Sequence, residues 1–176
     1  MGTFTDTRDG KTYKTVTIGN QTWMAENLNY EASGSKCYGN DPANAKKYGR
    51  LYDWETAKKA CPPGWHLPSQ MEWQELVYFA GGFGTAGSML KARSGWNDYQ
   101  GRSGNGIDKF EFSALPGGDG SSSGEFGGAG NSGSWWSATE YNAAGAGALD
   151  MYRDGADVVV NCYGKTYLYA VRCVKD

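Results

Sequence analysis

The chain has few aliphatic side chains, one histidine, no Cys-x-x-Cys pair and no long apolar run. Each absence excludes something. A membrane-crossing helix needs about 20 consecutive apolar residues, and no stretch approaches that length. A zinc centre built from cysteine and histidine is not expected with His66 alone and no paired thiols. Basic residues number 17 against 19 acidic ones and form no stripe, so nucleic acid is not an expected partner. No signal peptide opens the chain; Met1-Gly2 reads as an added start, with any export signal already removed.

Glycine (27 residues) and aromatic residues (14%) are abundant. A core short of aliphatics must lean on Trp and Tyr, and each buried ring needs a partner for its N–H or O–H. At 176 residues one domain is expected, over residues 3–176, and a monomer. Four cysteines, an even number, favour disulfides over a metal site. Disulfides imply an oxidising compartment, so an extracellular or outer-surface location is expected.

The stretch from Tyr48 to Leu76 carries the strongest local signals. Trp54, Ala57 and Cys61 share a face with Leu51, which predicts a helix over about Asp53 to Ala60. Pro62-Pro63-Gly64 stops it, because proline has no N–H to donate. Ser69 with Glu72 three residues on is a capping box for a second helix, Gln70 to Ala80, that buries Trp73, Leu76 and Val77. Gly81-Gly82 ends it. Asp41-Pro42 predicts a helical turn through Lys47, and a short helix is expected near Ala86 to Ala92.

Strand signals lie on either side. Lys11 to Ile18, the turn Gly19-Asn20, and Gln21 to Met24 predict a hairpin. Asn20-Gln-Thr22 matches a glycosylation acceptor but reads as an ordinary turn. Phe110 to Leu115 is expected as a strand. Gly117 to Ser134 is a glycine-rich loop inside the one domain. Ser134–Glu140, Ala148–Arg153, Val158–Cys162 and Tyr167–Val174 then predict an antiparallel meander. Trp135 and Trp136, adjacent on one strand, must face opposite sides of a sheet.

Helix pair, irregular middle and terminal meander, in that order, resemble the C-type-lectin-like fold. Gly64-Trp-His-Leu-Pro-Ser-Gln-Met-Glu-Trp73 and Val171-Arg-Cys-Val174 resemble segments of formylglycine-generating-enzyme-like proteins, a branch of that fold. A closer resemblance rests on Asp9-Gly-Lys-Thr-Tyr13, Gln21-Thr-Trp-Met-Ala-Glu-Asn-Leu-Asn29 and Cys37-Tyr-Gly-Asn-Asp-Pro42. It continues in Tyr48-Gly-Arg-Leu-Tyr52, Cys61-Pro-Pro-Gly-Trp-His-Leu-Pro68, Ala114-Leu-Pro-Gly-Gly118, Trp135-Trp-Ser-Ala-Thr-Glu140 and Val171-Arg-Cys-Val-Lys175. Together these resemble the Fibrobacter succinogenes major paralogous domain. The resemblance implies an α+β domain with N- and C-terminal strands paired, and a bacterial exported or surface-attached protein, often a lipoprotein. It also implies a bridge between Cys61 and Cys173, as in the lectin-like helix-to-last-strand disulfide. Some members carry a second cysteine soon after the Cys37 equivalent, where this chain has Ala45. That leaves Cys162 as the mate of Cys37 by elimination.

Catalysis is not expected. His66, between Trp65 and Leu67, reads as a packed turn residue, and no neighbouring cysteine pair matches formylglycine-generating chemistry. Trp96-Asn97-Asp98 spells a lectin calcium motif but lies far from the final strand and has no partner motif. Asp150, Asp154 and Asp157 are candidate ligands for a calcium ion, the one cofactor in view, although aspartates at hairpin turns are the ordinary explanation. Trp96, Tyr99, Tyr141, Tyr152, Tyr163 and Tyr167 fall outside strong core patterns, among Asp150, Arg153 and Asn161. Aromatic faces take the apolar faces of sugars while amides and carboxylates take hydroxyls. A tyrosine-, serine- and glycine-rich surface also suits a protein partner. The expected function is a non-catalytic binding or adhesion module for a glycan or a surface protein. A degenerate formylglycine-generating enzyme and a purely structural domain are the alternatives.

Overall fold

In the computed structural model, which describes residues 1–176, β1 (Gly2–Thr5), β2 (Thr12–Ile18) and β3 (Gln21–Met24) form an antiparallel run. Tyr13 and Thr15 are buried on one face of β2 and Val16 and Ile18 on the other, so the buried side changes between Thr15 and Val16, while Lys14 and Thr17 are exposed. A 3-10 turn (Tyr38–Asn40) precedes α1 (Pro42–Tyr48), where the Asp41 carboxylate accepts the Ala43 N–H. At Gly49, which ends α1 with φ 78°, a Cβ would lie 2.7 Å from Asn27 Cβ, so a side chain there would drive the turn off the 27–28 backbone.

Next come β4 (Leu51–Tyr52), α2 (Trp54–Ala60), β5 (Trp65–His66), α3 (Gln70–Phe79) and α4 (Ala86–Leu90). Asp53 caps α2, and both halves of the Ser69–Glu72 capping box are made at α3. The rest of the chain holds β6 (Asp119–Gly120), β7 (Phe126–Gly127), β8 (Ser132–Glu140), β9 (Gly145–Tyr152), β10 (Val159–Gly164), β11 (Tyr169–Ala170) and β12 (Val174–Lys175). The strands make two five-stranded sheets, ordered β1-β2-β3-β12-β5 and β10-β9-β8-β11-β4, plus the small hairpin β6-β7. The architecture is α+β, and the C-terminal strand β12 pairs with N-terminal β3.

Two strand expectations need correction. Tyr167–Val174 is not one closing strand. β11 runs parallel to β8 in one sheet, and after Val171–Cys173 the chain resumes as β12 in the other. The meander is therefore β8-β9-β10 alone, and the last residues join the two sheets. Phe110–Leu115 is not a strand either. Asp108, Glu111 and Ser113 have positive φ, and the Asp108 carboxylate accepts from both N and Oγ of Ser113, which closes a polar loop.

The core divides in two. Trp135 packs with Trp23, Trp73, Phe112, Leu149 and Met151 on one face of β8, and Trp136 packs with Tyr52, Trp54, Trp65, Tyr169 and Cys173 on the other. Buried indole N–H groups find acceptors. Trp54 donates to Ser137 O (2.8 Å), Trp96 to Ala114 O (2.9 Å), Trp135 to Asn27 Oδ1 (2.8 Å) and Trp136 to Tyr52 O (2.7 Å).

Arg172 is buried where the chain crosses between sheets. Its guanidinium donates to Asn27 Oδ1, Phe112 O and Met24 O and lies 4.5 Å from the Phe112 ring centre. No carboxylate pairs with it, and burial pulls its pKa down. Cys61 at the end of α2 is bonded to Cys173, 112 residues away. Cys37 and Cys162 are not bonded, contrary to the expected second bridge. The Cys162 side chain is exposed on β10 beside Gly145, while Cys37 sits at the start of the 3-10 turn.

Candidate functional site

Strand alternation builds the site. On β9, Ala146, Ala148, Asp150 and Tyr152 point to one face. Ala146 and Ala148 cover the Trp136 core, and the same row continues into Asp150 and Tyr152 beyond it. The register sets Ser134 opposite Asp150 and Ser132 opposite Tyr152 on β8. On the other flank, β10 contributes Asn161 and Tyr163. The face is thus apolar at one end and polar at the other.

Asp150 is the centre of the polar end. It is fully buried, and its Oδ2 accepts from Asn161 Nδ2 and Tyr163 OH, both at 2.7 Å. Its Oδ1 is buried with no hydrogen-bond partner. Burial first, and then the carboxylate of Asp150, raise the pKa of Tyr163, Tyr169 and Tyr152. Half-buried Asp119, on the neighbouring β6, is raised for the same two reasons. Tyr163, Tyr167 and Tyr169 form an aromatic group beside it, with Tyr167 stacked on Tyr169 at 6.2 Å between ring centres. Tyr152 and Tyr167 are exposed.

Five of the residues singled out from the sequence therefore converge: Asp150, Tyr152, Asn161, Tyr163 and Tyr167. Tyr99 and Arg153 meet elsewhere. The Arg153 guanidinium lies 5.1 Å from the Tyr99 ring centre, and both line a cavity of about 280 Å³ with Lys91, Arg102 and Asn105. Tyr141 stands apart, half-exposed, with its hydroxyl donating to Gln70 Oε1 at the start of α3. Trp96 is not a surface residue. It is 3% exposed and packs in the core that holds Trp135.

The grouping of Asp150, Asp154 and Asp157 is also corrected. Asp150 faces the tyrosines, whereas the turn after β9 already holds a cation of the protein's own. The buried Lys91 ammonium donates to Tyr152 O at 2.9 Å and Gly155 O at 2.8 Å. The charge that Asp154 and Asp157 would offer a metal falls on that lysine. Sequence reading missed Asp119, which lies in the glycine-rich stretch and has no local pattern around it. It missed Lys91 as well, whose burial follows from a contact across more than sixty residues.

His66 lies on β5, not in a packed turn. Its Nδ1 is 2.6 Å from Asp176 Oδ1 and its Nε2 2.7 Å from Glu72 Oε1. Both ring nitrogens are engaged by carboxylates, and one of these, Glu72, also completes the α3 capping box.

The model of the Fibrobacter succinogenes major domain matches the chain over residues 16–175. The chain belongs to that family. No curated protein and no solved structure matches it. Within this Fibrobacter succinogenes major domain, Asn27, Tyr48-Gly49, Cys61, Trp135-Trp136 and Arg172-Cys173 hold the core together. The Asp150 cluster lies outside those segments, on β9 and β10.

Proposed function

We propose that this domain is a non-catalytic binding module of the bacterial cell surface, C-type-lectin-like in arrangement, whose ligand is a glycan. The observation that carries the reading is the polar end of the β8-β9-β10 face. There Tyr152 and Tyr167 stand exposed beside Asn161 and Tyr163, and one buried carboxylate, that of Asp150, fixes Asn161 and Tyr163. Exposed rings supply flat apolar area, and the amide and hydroxyls supply donors and acceptors held in place before a ligand arrives. The Cys61–Cys173 bridge supports an oxidising location, and no helix is long and apolar enough to cross a membrane. A catalytic role draws no support from the cysteines, because two are joined and Cys37 and Cys162 sit on separate elements as single thiols.

A printed glycan array tests the proposal. Binding to one glycan class, weakened about tenfold or more by Tyr152→Ala and Tyr167→Ala, is the expected result. Absence of any binding, or binding indifferent to both substitutions, would sink it and leave a protein partner or a purely structural role.

A further inference from the structure

The turn after β9 carries an inference that does not rest on the tyrosine surface. Three segments meet there around a cavity of about 280 Å³: the end of α4 with Ser88 and Lys91, the loop at 99–105, and the turn at 153–156. Backbone contacts build its walls. Gln100 and Gly101 both have positive φ (48° and 75°), a tight turn that Tyr99 and Arg102 close by bonding each other's N–H and C=O at 2.9 and 3.0 Å. At Gly104 a Cβ would lie 2.2 Å from Asn97 O and 3.0 Å from Arg153 Cβ, so only glycine lets this loop approach the turn so closely. The Ser88 N–H donates to Ala156 O and ties α4 to the same turn.

The lining carries unpaired positive charge. Lys91, Arg102 and Arg153 line the cavity with a single acid, Asp154, whereas the whole chain has a formal charge of -2. None of the three cations is in an ion pair. Lys91 is 3% exposed. Two of its three N–H donors bond Tyr152 O (2.9 Å) and Gly155 O (2.8 Å); the third has no acceptor, only the Trp96 ring centre 5.0 Å away. Gly155 itself lines the cavity, which puts the ammonium at the wall. The Arg153 guanidinium makes one long hydrogen bond, 3.5 Å to Asp98 O, and otherwise lies against Tyr99.

A buried ammonium without a counter-ion is costly, and an anion beside it offsets that cost. Guanidinium groups hold planar or tetrahedral oxyanions through paired N–H donors. Around these charges Gln100, Ser103 and Asn105 supply neutral hydrogen-bonding groups of the kind that sugar hydroxyls use. The volume is near the lower end of the range of about 300–1,000 Å³ for small-molecule sites, so the occupant is one small residue.

We propose that this cavity binds one acidic sugar residue, held by its carboxylate or sulfate on Lys91, Arg102 and Arg153. The test uses the whole domain, isotope-labelled for NMR and titrated with glucuronate, glucose sulfate, glucose and inorganic sulfate. Saturating shifts at residues 99–105 and 153–156 are expected with one or both acidic sugars, and the tighter of the two tells which oxyanion the site takes. Arg102→Gln with Arg153→Gln weakens that binding about tenfold or more. Lys46→Gln with Lys47→Gln, an equal loss of charge on α1, leaves it unchanged. Arg102 is exposed and Arg153 half-buried, so this pair carries the test without disturbing the fold as a change at Lys91 would. No saturable shift with either acidic sugar up to about 10 mM, tenfold above a Kd of about 1 mM, would overturn the proposal. So would binding indifferent to the arginine pair, or glucose or inorganic sulfate binding as tightly as the acidic sugars. Shifts confined to Asn161, Tyr163 and Tyr167 would also overturn it, while leaving the glycan reading of that other surface standing.

Discussion

At the scale of single residues, several polar side chains, among them Gln21, Asn27, Lys91 and Arg172, are explained by a partner that is distant in sequence. His66 gives the clearest consequence. Burial alone would lower its pKa, but the carboxylates of Asp176 and Glu72 outweigh burial and raise it. A group whose folded pKa is raised stabilises the fold fully below its unfolded value and loses that contribution as pH rises through the folded one. Glu72 has the opposite sign. Burial would raise it, yet the Ser69 N–H and His66 hold it low, so its contribution is present above its unfolded value and is lost as pH falls through the lowered one. Urea midpoints of wild type and His66→Ala should therefore differ most below about pH 6.5 and draw together as pH rises above it. A gap that stays constant from acid to alkaline pH would show that the ring acts by packing and not by charge.

At the scale of elements, what could be read from the sequence was what neighbours in sequence decide. The α3 capping box, the proline stop after α2 and the Asp41-Pro42 start of α1 were all legible, because each motif satisfies its own backbone groups locally. The break between β11 and β12 was not, because Tyr169 to Lys175 reads as one β-prone run. Its division is imposed by two different sheets competing for it. Phe110–Leu115 failed for a related reason: three left-handed residues and an Asp108–Ser113 clasp override a strand-like composition. At the candidate site, alternation placed Asp150 and Tyr152 together, while Asp119 arrived through a fold-level contact with no signature. The element that holds these pieces in register is the Cys61–Cys173 bridge, which ties α2 to the crossing segment over 112 residues. Closing a loop of that length is worth roughly 4–5 kcal/mol in the chain-entropy model. Cys61→Ala with Cys173→Ala should lower the unfolding free energy by about that amount or more, since Cys173 is also a core residue. Denaturant titration checks it, and a loss below about 1 kcal/mol would mean that the unfolded chain is already held compact.

At the scale of the whole molecule, adjacent side chains on single strands couple the two cores: Trp135 and Trp136 on β8, Trp23 and Met24 on β3, and Leu51 and Tyr52 on β4. Trp135 donates to Asn27 Oδ1, which also receives Nε and Nη2 of Arg172. Trp136 donates to Tyr52 O and packs against Tyr169 in a tilted pair, 4.7 Å between ring centres. The crossing segment therefore touches both cores at once, with Ala170 and Val174 in the Trp135 core, Val171 and Cys173 in the Trp136 core, and Arg172 over Phe112. Trp136→Ala removes a fully buried indole and leaves a cavity, a change that costs about 3–5 kcal/mol. If the cores are coupled as described, the variant unfolds in one transition at a lower denaturant concentration. Near-ultraviolet dichroism, dominated by the remaining tryptophans around Trp135, then falls together with the far-ultraviolet signal. Two separated transitions, with the Trp135 side persisting after the Trp136 side has melted, would show that the sheet divides the domain into halves that are stable on their own.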